Sequence, residues 1–283
     1  MSVLAGAVQP PLMTLLSSSS HPSISPLWTT HTDPSLPSDS FITTLPDTSY
    51  GSEAEASSSS RAYVPKHPSR GEIVGSVIHV QSPTVGTTYL QCGESLTEYR
   101  RRVDKGKARA GEGPMPLGIE LGWVGLQVRR LGRREFAFEI GLVDTKGREG
   151  IVRCSSFKKS PTVHPHRSPP LIHLPLTLPA ATPSTLTPWL HISLNLVPLI
   201  ALFHSLPRPQ LGDTSPDSPE RPQKRRRLVE LPSGQLKSVS YVRLYANCRV
   251  RRIWFSEEGE RTLGAMGRGV EDEWGLYAAE GPA

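Results

Sequence analysis

The sequence predicts an all-β protein, an antiparallel β-sandwich or barrel with one short helix. Apolar and polar residues alternate with a period of two in several short runs, which is the pattern of half-buried strands. The connections between these runs are rich in turn-forming residues, since the 283-residue chain holds 28 prolines and 24 glycines. Short strands separated by such connections are typical of sandwiches and barrels.

Residues 1–70 are predicted to form a largely disordered leader. Ser, Thr and Pro make up 30 of the first 60 residues, which contain no Lys or Arg and five acidic residues. Such a composition offers little apolar surface to offset the entropy cost of ordering. Because the whole chain has a formal net charge of +6 and this stretch carries −5, the remaining residues carry +11.

Residues 71–260 are predicted to form the sandwich domain. Alternation from Phe136 to Leu142, the turn residues Asp144-Thr145-Lys146-Gly147 and a second apolar run predict a β-hairpin over 135–155. Shorter alternating runs predict further strands around residues 78–80, 172–176 and 190–196, with Pro175 marking an edge strand.

The longest alternating run predicts one strand over residues 241–255. Its apolar parity flips at Ile253 and Phe255, so a bulge or bend is predicted at Arg251-Arg252. The best helix candidate is Val197–Ser205, with Pro198 at a tolerated first-turn position.

Two long insertions and a tail complete the predicted organisation. The insertions span residues 93–116 and 206–236, and a Gly-rich tail spans 261–283. Connections of this length without structure of their own are usually functional or disordered.

The three cysteines and the hydropathy pattern indicate where in the cell the protein is expected. Cys92, Cys154 and Cys248 lie beside apolar runs and form no C-x-x-C pair, which favours a reducing environment and buried thiols. The most apolar stretch, Pro188 to Leu206, contains polar residues that are costly in hydrocarbon, so no membrane segment is expected. Cytoplasm or nucleus is the expected location.

The motif content predicts a non-enzymatic protein that binds no cofactor or metal. The sequence contains no H-E-x-x-H, G-x-S-x-G, phosphate-binding loop or dinucleotide-binding fingerprint.

The strand around 241–255 carries the main candidate binding residues. One face interleaves arginines with tyrosines, a composition that suits acidic protein surfaces or nucleic-acid backbones. The candidates are Tyr241, Arg243, Tyr245, Arg249, Arg251 and Arg252. A solvated outer face, with arginine stems covering aromatic rings, is the alternative interpretation.

A second basic feature follows Pro222. It is a run of four consecutive basic residues, which fits the acidic grooves of import receptors or a phosphate backbone. The four residues are Lys224, Arg225, Arg226 and Arg227. A merely solvated charge run is the alternative. These residues are the candidates for nuclear import.

Six segments of the sequence together carry a family resemblance. The most specific is Tyr245–Ser256, in which Ala-Asn-Cys-Arg is followed by an aliphatic residue and Arg-Arg. Five companions precede it in consistent order: Gly86–Cys92, Leu117–Leu121, Phe136–Glu139, Arg153–Ser156 and Trp189–Leu196. Residues 75–256 thereby resemble the cilia- and flagella-associated protein 20 family.

This resemblance implies a jelly-roll-like β-sandwich without enzymatic activity. Members of that family bind axonemal and centriolar microtubules, and a nuclear, RNA-associated role is also attributed to them. The resemblance therefore implies a structural or adaptor module that binds tubulin or another acidic protein surface, in the cytoskeleton or in a cilium. A nuclear accessory protein that binds RNA or DNA is the alternative.

Overall fold

The computed structural model describes residues 2–4, 6–18, 20, 24, 26–46, 76–106, 113–178, 189–208, 230–267 and 274. They form thirteen strands and three helices. The strands are β1 (Leu12–Ser17), β2 (Trp28–His31), β3 (Phe41–Pro46), β4 (Ser76–Gln81), β5 (Tyr89–Gly93), β6 (Trp123–Arg130), β7 (Ala137–Asp144), β8 (Glu149–Ser155), β9 (Thr162–His164), β10 (Leu171–Pro175), β11 (Trp189–Asn195), β12 (Leu236–Tyr245) and β13 (Cys248–Ser256). The helices are α1 (Leu96–Asp104), α2 (Leu199–Ser205) and α3 (Glu260–Ala265).

The strands form two sheets. The six-stranded sheet, called the front sheet, has the order β11-β6-β13-β4-β3, and β1 also pairs with β13. The seven-stranded back sheet has the order β2-β5-β12-β7-β8-β10-β9. All pairs are antiparallel except β8 with β10, which run parallel. The prediction of an all-β sandwich is confirmed.

The hydrophobic core lies between the sheets because alternate residues of each strand point inward. The front sheet contributes Val124, Leu126 and Val128 from β6, and the back sheet contributes Phe138 and Ile140 from β7. The predicted hairpin over 135–155 is confirmed as β7 and β8, joined by the turn at Asp144.

The region predicted as one strand over 241–255 is two strands in different sheets. β12 ends at Tyr245 in the back sheet, and β13 begins at Cys248 in the front sheet. The alternation continues through this corner because Val242 and Val250 both face the shared core. The predicted bulge is confirmed, since the pairing of β13 with β6 shifts register between Val250 and Arg252.

The prediction of a largely disordered leader is wrong for the strands at 12–17, 28–31 and 41–46. Each of these segments pairs with an established strand, β13, β5 or β4 respectively. The ladder hydrogen bonds and core contacts, such as those of the buried Leu16, offset the ordering cost that the polar composition suggested. Residues 47–70 of the predicted leader lie outside the described part of the chain.

Other predicted connections also contain regular structure. The insertion at 93–116 includes α1, and the tail predicted from 261 begins within α3. Pro175 does not mark an edge strand, because β10 lies between β8 and β9. The proline is tolerated there because β9 pairs only with residues Leu171–His173. The predicted helix at Val197–Ser205 is confirmed as α2.

A buried carboxylate fastens α1 to the back sheet. Glu149 accepts hydrogen bonds from Ser95 Oγ (2.7 Å), Ser240 Oγ (2.6 Å) and the backbone N–H groups of Leu96 and Thr97 (both 2.8 Å). These amides belong to the first turn of the helix, which has no intrahelical acceptors for them. An acid at this position also complements the positive end of the helix dipole.

We predict that Glu149→Gln lowers the free energy of unfolding by about 2 kcal/mol, because either amide orientation turns an NH₂ group toward a backbone N–H of Leu96 or Thr97. Urea denaturation followed by circular dichroism measures this change. The matched control is Glu98→Gln, which alters an exposed acid in the same turn. Equal stability of both variants and the parent would contradict the anchoring role of Glu149.

Candidate docking surface

The corner between β12 and β13 divides the six candidate binding residues between two sheets. Tyr241, Arg243 and Tyr245 lie on the outer side of the back sheet, opposite the inward-facing Val242 and Leu244. The remaining three, Arg249, Arg251 and Arg252, belong to the front sheet. They therefore do not form the single continuous face that the sequence predicted.

On the back sheet, Glu139 joins two arginines in a compact network. Its side chain is almost fully buried, and it forms ion pairs with Arg153 and with Arg243, the latter at 3.4 Å. Arg243 also donates to Gln91 Oε1 (2.8 Å) and to the hydroxyl of Tyr245 (3.1 Å). A buried carboxylate is stable only when it is paired in this way.

Aromatic rings enclose the same network. The guanidinium of Arg243 lies 4.5 Å from the ring centroid of Tyr89 and 5.4 Å from that of Tyr241. His31 stacks on Tyr89 with centroids 4.5 Å apart. Contacts of this type stabilise a cation that has been withdrawn from water.

The protonation states follow from this packing. Burial opposes the charge of Arg243, but Tyr245, Tyr241 and Glu139 outweigh it and raise the pKa of the guanidinium. Burial is also the main reason that the pKa of Tyr241 is raised, with Glu139 adding to it. Burial and the nearby Arg153 lower the pKa of His173 to about 4, so that imidazole is neutral at pH 7.

The structure therefore corrects the prediction of an accessible binding strand at Tyr241 and Tyr245, while Arg243 is partly exposed but engaged by partners. Tyr241 and Tyr245 are 2% and 4% exposed, and Arg243 uses its donors within the protein. Because these residues alternate with core residues, the sequence correctly predicts that they lie on the outer side of the sheet. Side chains from neighbouring strands then pack against them there. On the back sheet these residues form an internal polar network.

The front sheet has a different charge pattern. Its six strands contain no Asp or Glu, and they carry five arginines and three tryptophans. These residues are Arg129, Arg130, Arg249, Arg251, Arg252, Trp123, Trp189 and Trp254. Arginine and tryptophan are enriched in the energetically important parts of protein interfaces.

Strand pairing concentrates the positive charge of the front sheet. Arg249 lies opposite Arg129 on β6 and opposite His79 on β4. Arg249 and Arg251 are partly exposed, whereas Arg252 is 5% exposed. We call the outer side around Arg129, Arg249, Arg251 and Arg252 the basic face.

Next to these arginines, the indole of Trp254 lies on the outer side of the front sheet. Trp254 lies flat over Gly125 of β6, where a Cβ atom would come within 2.2 Å of the indole ring. His191 of β11 packs against Trp254 with centroids 5.0 Å apart. Gly125 thus provides the space that the large side chain requires.

Reasoning from the sequence missed the contribution of β6 and β11 to this surface. Arg129, Gln127 and His191 come next to β13 or its tryptophan only through the strand order and register. The local signal was present, because polar residues alternate with Val124, Leu126 and Val128. It could not reveal which strands are neighbours.

The structure also bears on the cysteines, the basic run and possible metal ligands. Cys92, Cys154 and Cys248 are buried free thiols, and burial raises the pKa of each, to about 12 for Cys92 and Cys154. Lys224–Arg227 lies outside the described residues. Among the residues that the structure describes, no group of three or more His, Cys, Asp or Glu side chains could hold a metal ion.

None of the helices in the described ranges combines the length and apolar character needed to cross a membrane.

Several solved structures are similar to this chain, among them a carbohydrate-binding module and an agarase. No protein-family model matches the chain, and no curated protein matches it. A family 11 carbohydrate-binding module from Clostridium thermocellum, in complex with a β-1,3-1,4-mixed-linked tetrasaccharide, is similar at 12% identity and TM-score 0.32, covering 88% of this chain and 96% of that one. An exo-β-agarase is similar at 9% identity and TM-score 0.32, covering 87% of this chain and 24% of that one. This chain therefore spans about a quarter of the agarase.

We predict that Arg243→Ala and Arg249→Ala differ sharply in their effect on stability. Removing Arg243 leaves Glu139 with Arg153 as its only described ion-pair partner and should cost about 2 kcal/mol. Arg249 donates to the His79 imidazole at 3.4 Å and not to a buried carboxylate, so its removal should cost less than about 1 kcal/mol. Urea unfolding of both variants measures the difference. A larger loss for Arg249→Ala would contradict the division between internal network and surface.

Proposed function

We propose that this protein is a non-enzymatic β-sandwich adaptor that binds an acidic protein surface, with tubulin in microtubules as its partner. The observation that carries this proposal is the basic face, an arginine- and tryptophan-bearing sheet whose strands contain no acidic residue. The resemblance of residues 75–256 to the cilia- and flagella-associated protein 20 family supports the choice of partner. The protein acts in the cytoplasm or cytoskeleton, and in the cilium where the organism has one.

Electrostatics gives the proposed contact its specificity. Complementary charge accelerates association and suppresses wrong partners. Arg249 and Arg251 are the partly exposed arginines of β13, so they make the first contact with an acidic partner. Arg153 and Arg243 of the back sheet share the Glu139 carboxylate and contribute less.

We predict that Arg249→Glu combined with Arg251→Glu abolishes most co-sedimentation with microtubules, because it reverses two charges of the basic face. Arg249→Gln alone should weaken binding several-fold, and raising the salt concentration should weaken binding by the parent chain. The dissociation constant from co-sedimentation is the measurement. Thermal unfolding checks that each variant remains folded.

Lys158→Glu combined with Lys159→Glu is the matched control. It makes the same change in net charge beyond the end of β8, on the back sheet. The control should bind microtubules almost as well as the parent. Unchanged binding by the folded basic-face variants would contradict the proposal.

A nuclear function is the second candidate, and Lys224–Arg227 is the observation that favours it. In this case the protein is a nucleic-acid or ribonucleoprotein accessory protein, and the basic face contacts phosphate groups of RNA or DNA. We predict that changing all four residues to Ala removes nuclear accumulation of a fluorescent fusion. We also expect RNA or DNA binding by the parent chain to fall steeply as salt rises. Unchanged localisation would contradict the import role.

A further inference from the structure

Trp274, near the end of the chain, lies on the front sheet. Its indole meets that of Trp254 edge to face, with centroids 4.8 Å apart and planes at 84°. The guanidinium of Arg252 lies 4.9 Å from the centroid of Trp274. Gln127 Nε2 donates a hydrogen bond to the backbone carbonyl of Trp274. Trp274 is thus held by an aromatic ring, by a cation and by a hydrogen bond to its backbone carbonyl.

Residues of β6 and β13 form the part of the front sheet that contacts Trp274. Gly125 allows Trp254 to lie against β6, and His191 also packs against the Trp254 ring. Trp254 and Gln127 point away from the sandwich core, and yet they are 1% and 0% exposed. Side chains on the outer side of a sheet reach such values only when something covers them. We call Gly125, Gln127, Arg252 and Trp254 the tryptophan cradle.

The chemistry of the cradle also indicates what it accepts. Gln127 Oε1 is buried and has no hydrogen-bond donor among the described residues, so it can accept from a peptide N–H. The arginines of the surrounding basic face favour a segment with acidic residues. In the sequence, Glu271-Asp272-Glu273 immediately precedes Trp274. The tail therefore matches the cradle in both aromatic and charged character.

We propose that the cradle is a binding site for an acidic peptide segment that carries a tryptophan, and that the tail of this chain at Trp274 is its resident occupant. The consequence for partner binding rests on the proposed function. An acidic partner that uses the basic face must displace the tail before it can reach Arg252. The tail thereby lowers the apparent affinity for the partner.

The size of this effect follows from population arithmetic. If the tail occupies the cradle about 90% of the time, the apparent affinity of a competing partner falls about tenfold. Removing the indole of Trp274 takes away the contacts with Arg252 and Trp254 together. The expected result is therefore a gain of partner binding, which simple damage to the fold would not produce.

Two measurements on the full-length chain test the proposal. The first is binding of a fluorescent synthetic peptide with the sequence of residues 268–283, followed by anisotropy. We expect Trp274→Ala to bind this peptide and the parent chain to bind it at least several-fold more weakly, because its own tail competes. The control peptide carries Lys at the positions of Glu271, Asp272 and Glu273 and should bind poorly. Adding Arg252→Gln to Trp274→Ala should also weaken binding.

The second measurement is microtubule co-sedimentation of the parent, Trp274→Phe and Trp274→Ala. We expect affinity to rise in that order, because phenylalanine retains part of the aromatic contact. If Trp274→Ala does not bind the tail peptide while the parent binds microtubules, the inference is overturned and the proposed function stands. If the peptide binds but no form of the chain binds microtubules, the cradle stands as a tail site and the proposed function fails. Peptide binding with equal microtubule affinity of all three forms would overturn the competition.

Discussion

Glu139 holds Arg153 and Arg243 on the outer side of the back sheet, and this buried ion cluster determines where the positive charge of the sandwich can act. The carboxylate is 1% exposed, so it needs both cations and the surrounding hydroxyl groups to offset its loss of hydration. The two arginines are in turn held in fixed positions by it. Their charge is largely used inside the protein, although both belong to a basic chain.

The corner after Tyr245 separates this cluster from the basic face. Within a few residues the chain leaves the back sheet and enters the front sheet, where the strands carry arginines and no acids. One continuous stretch of sequence thus serves two purposes on opposite sides of a single core. Trp274 adds an aromatic side chain to the basic side. In our proposals, partner binding and tail binding depend on the same surface.

The sequence was sufficient where local chemistry decides the structure. The β7–β8 hairpin followed from alternation and the turn at Asp144, and the bulge before Arg252 followed from the change of parity. Alternation also identified the inward-facing residues of β12 and β13. Alternation could not show that β12 and β13 are separate strands, because the inward-facing residues of both sheets recur with the same period of two.

Long-range pairing accounts for most of what the sequence did not reveal. β1 pairs with β13, which lies at the other end of the chain, with Leu12 opposite Ser256. Because the local composition around β1 is polar and its partner strand is distant, the sequence suggested disorder. The partners of Arg243 from other strands lie on β5 and β7, which no local pattern connects to β12. The tryptophan cradle likewise combines residues of β6 and β13, and its contact with Trp274 joins distant parts of the sequence.

Arginine footprinting of the unmodified full-length chain tests the central claim most directly. An arginine-specific dicarbonyl reagent, read out by peptide mass spectrometry, reports the accessibility of each guanidinium with and without microtubules. The account predicts that microtubules protect Arg249 and Arg251, while the reactivity of Arg153 and Arg243 on the back sheet stays unchanged. Protection of Arg243 with no change at Arg249 and Arg251 would contradict it.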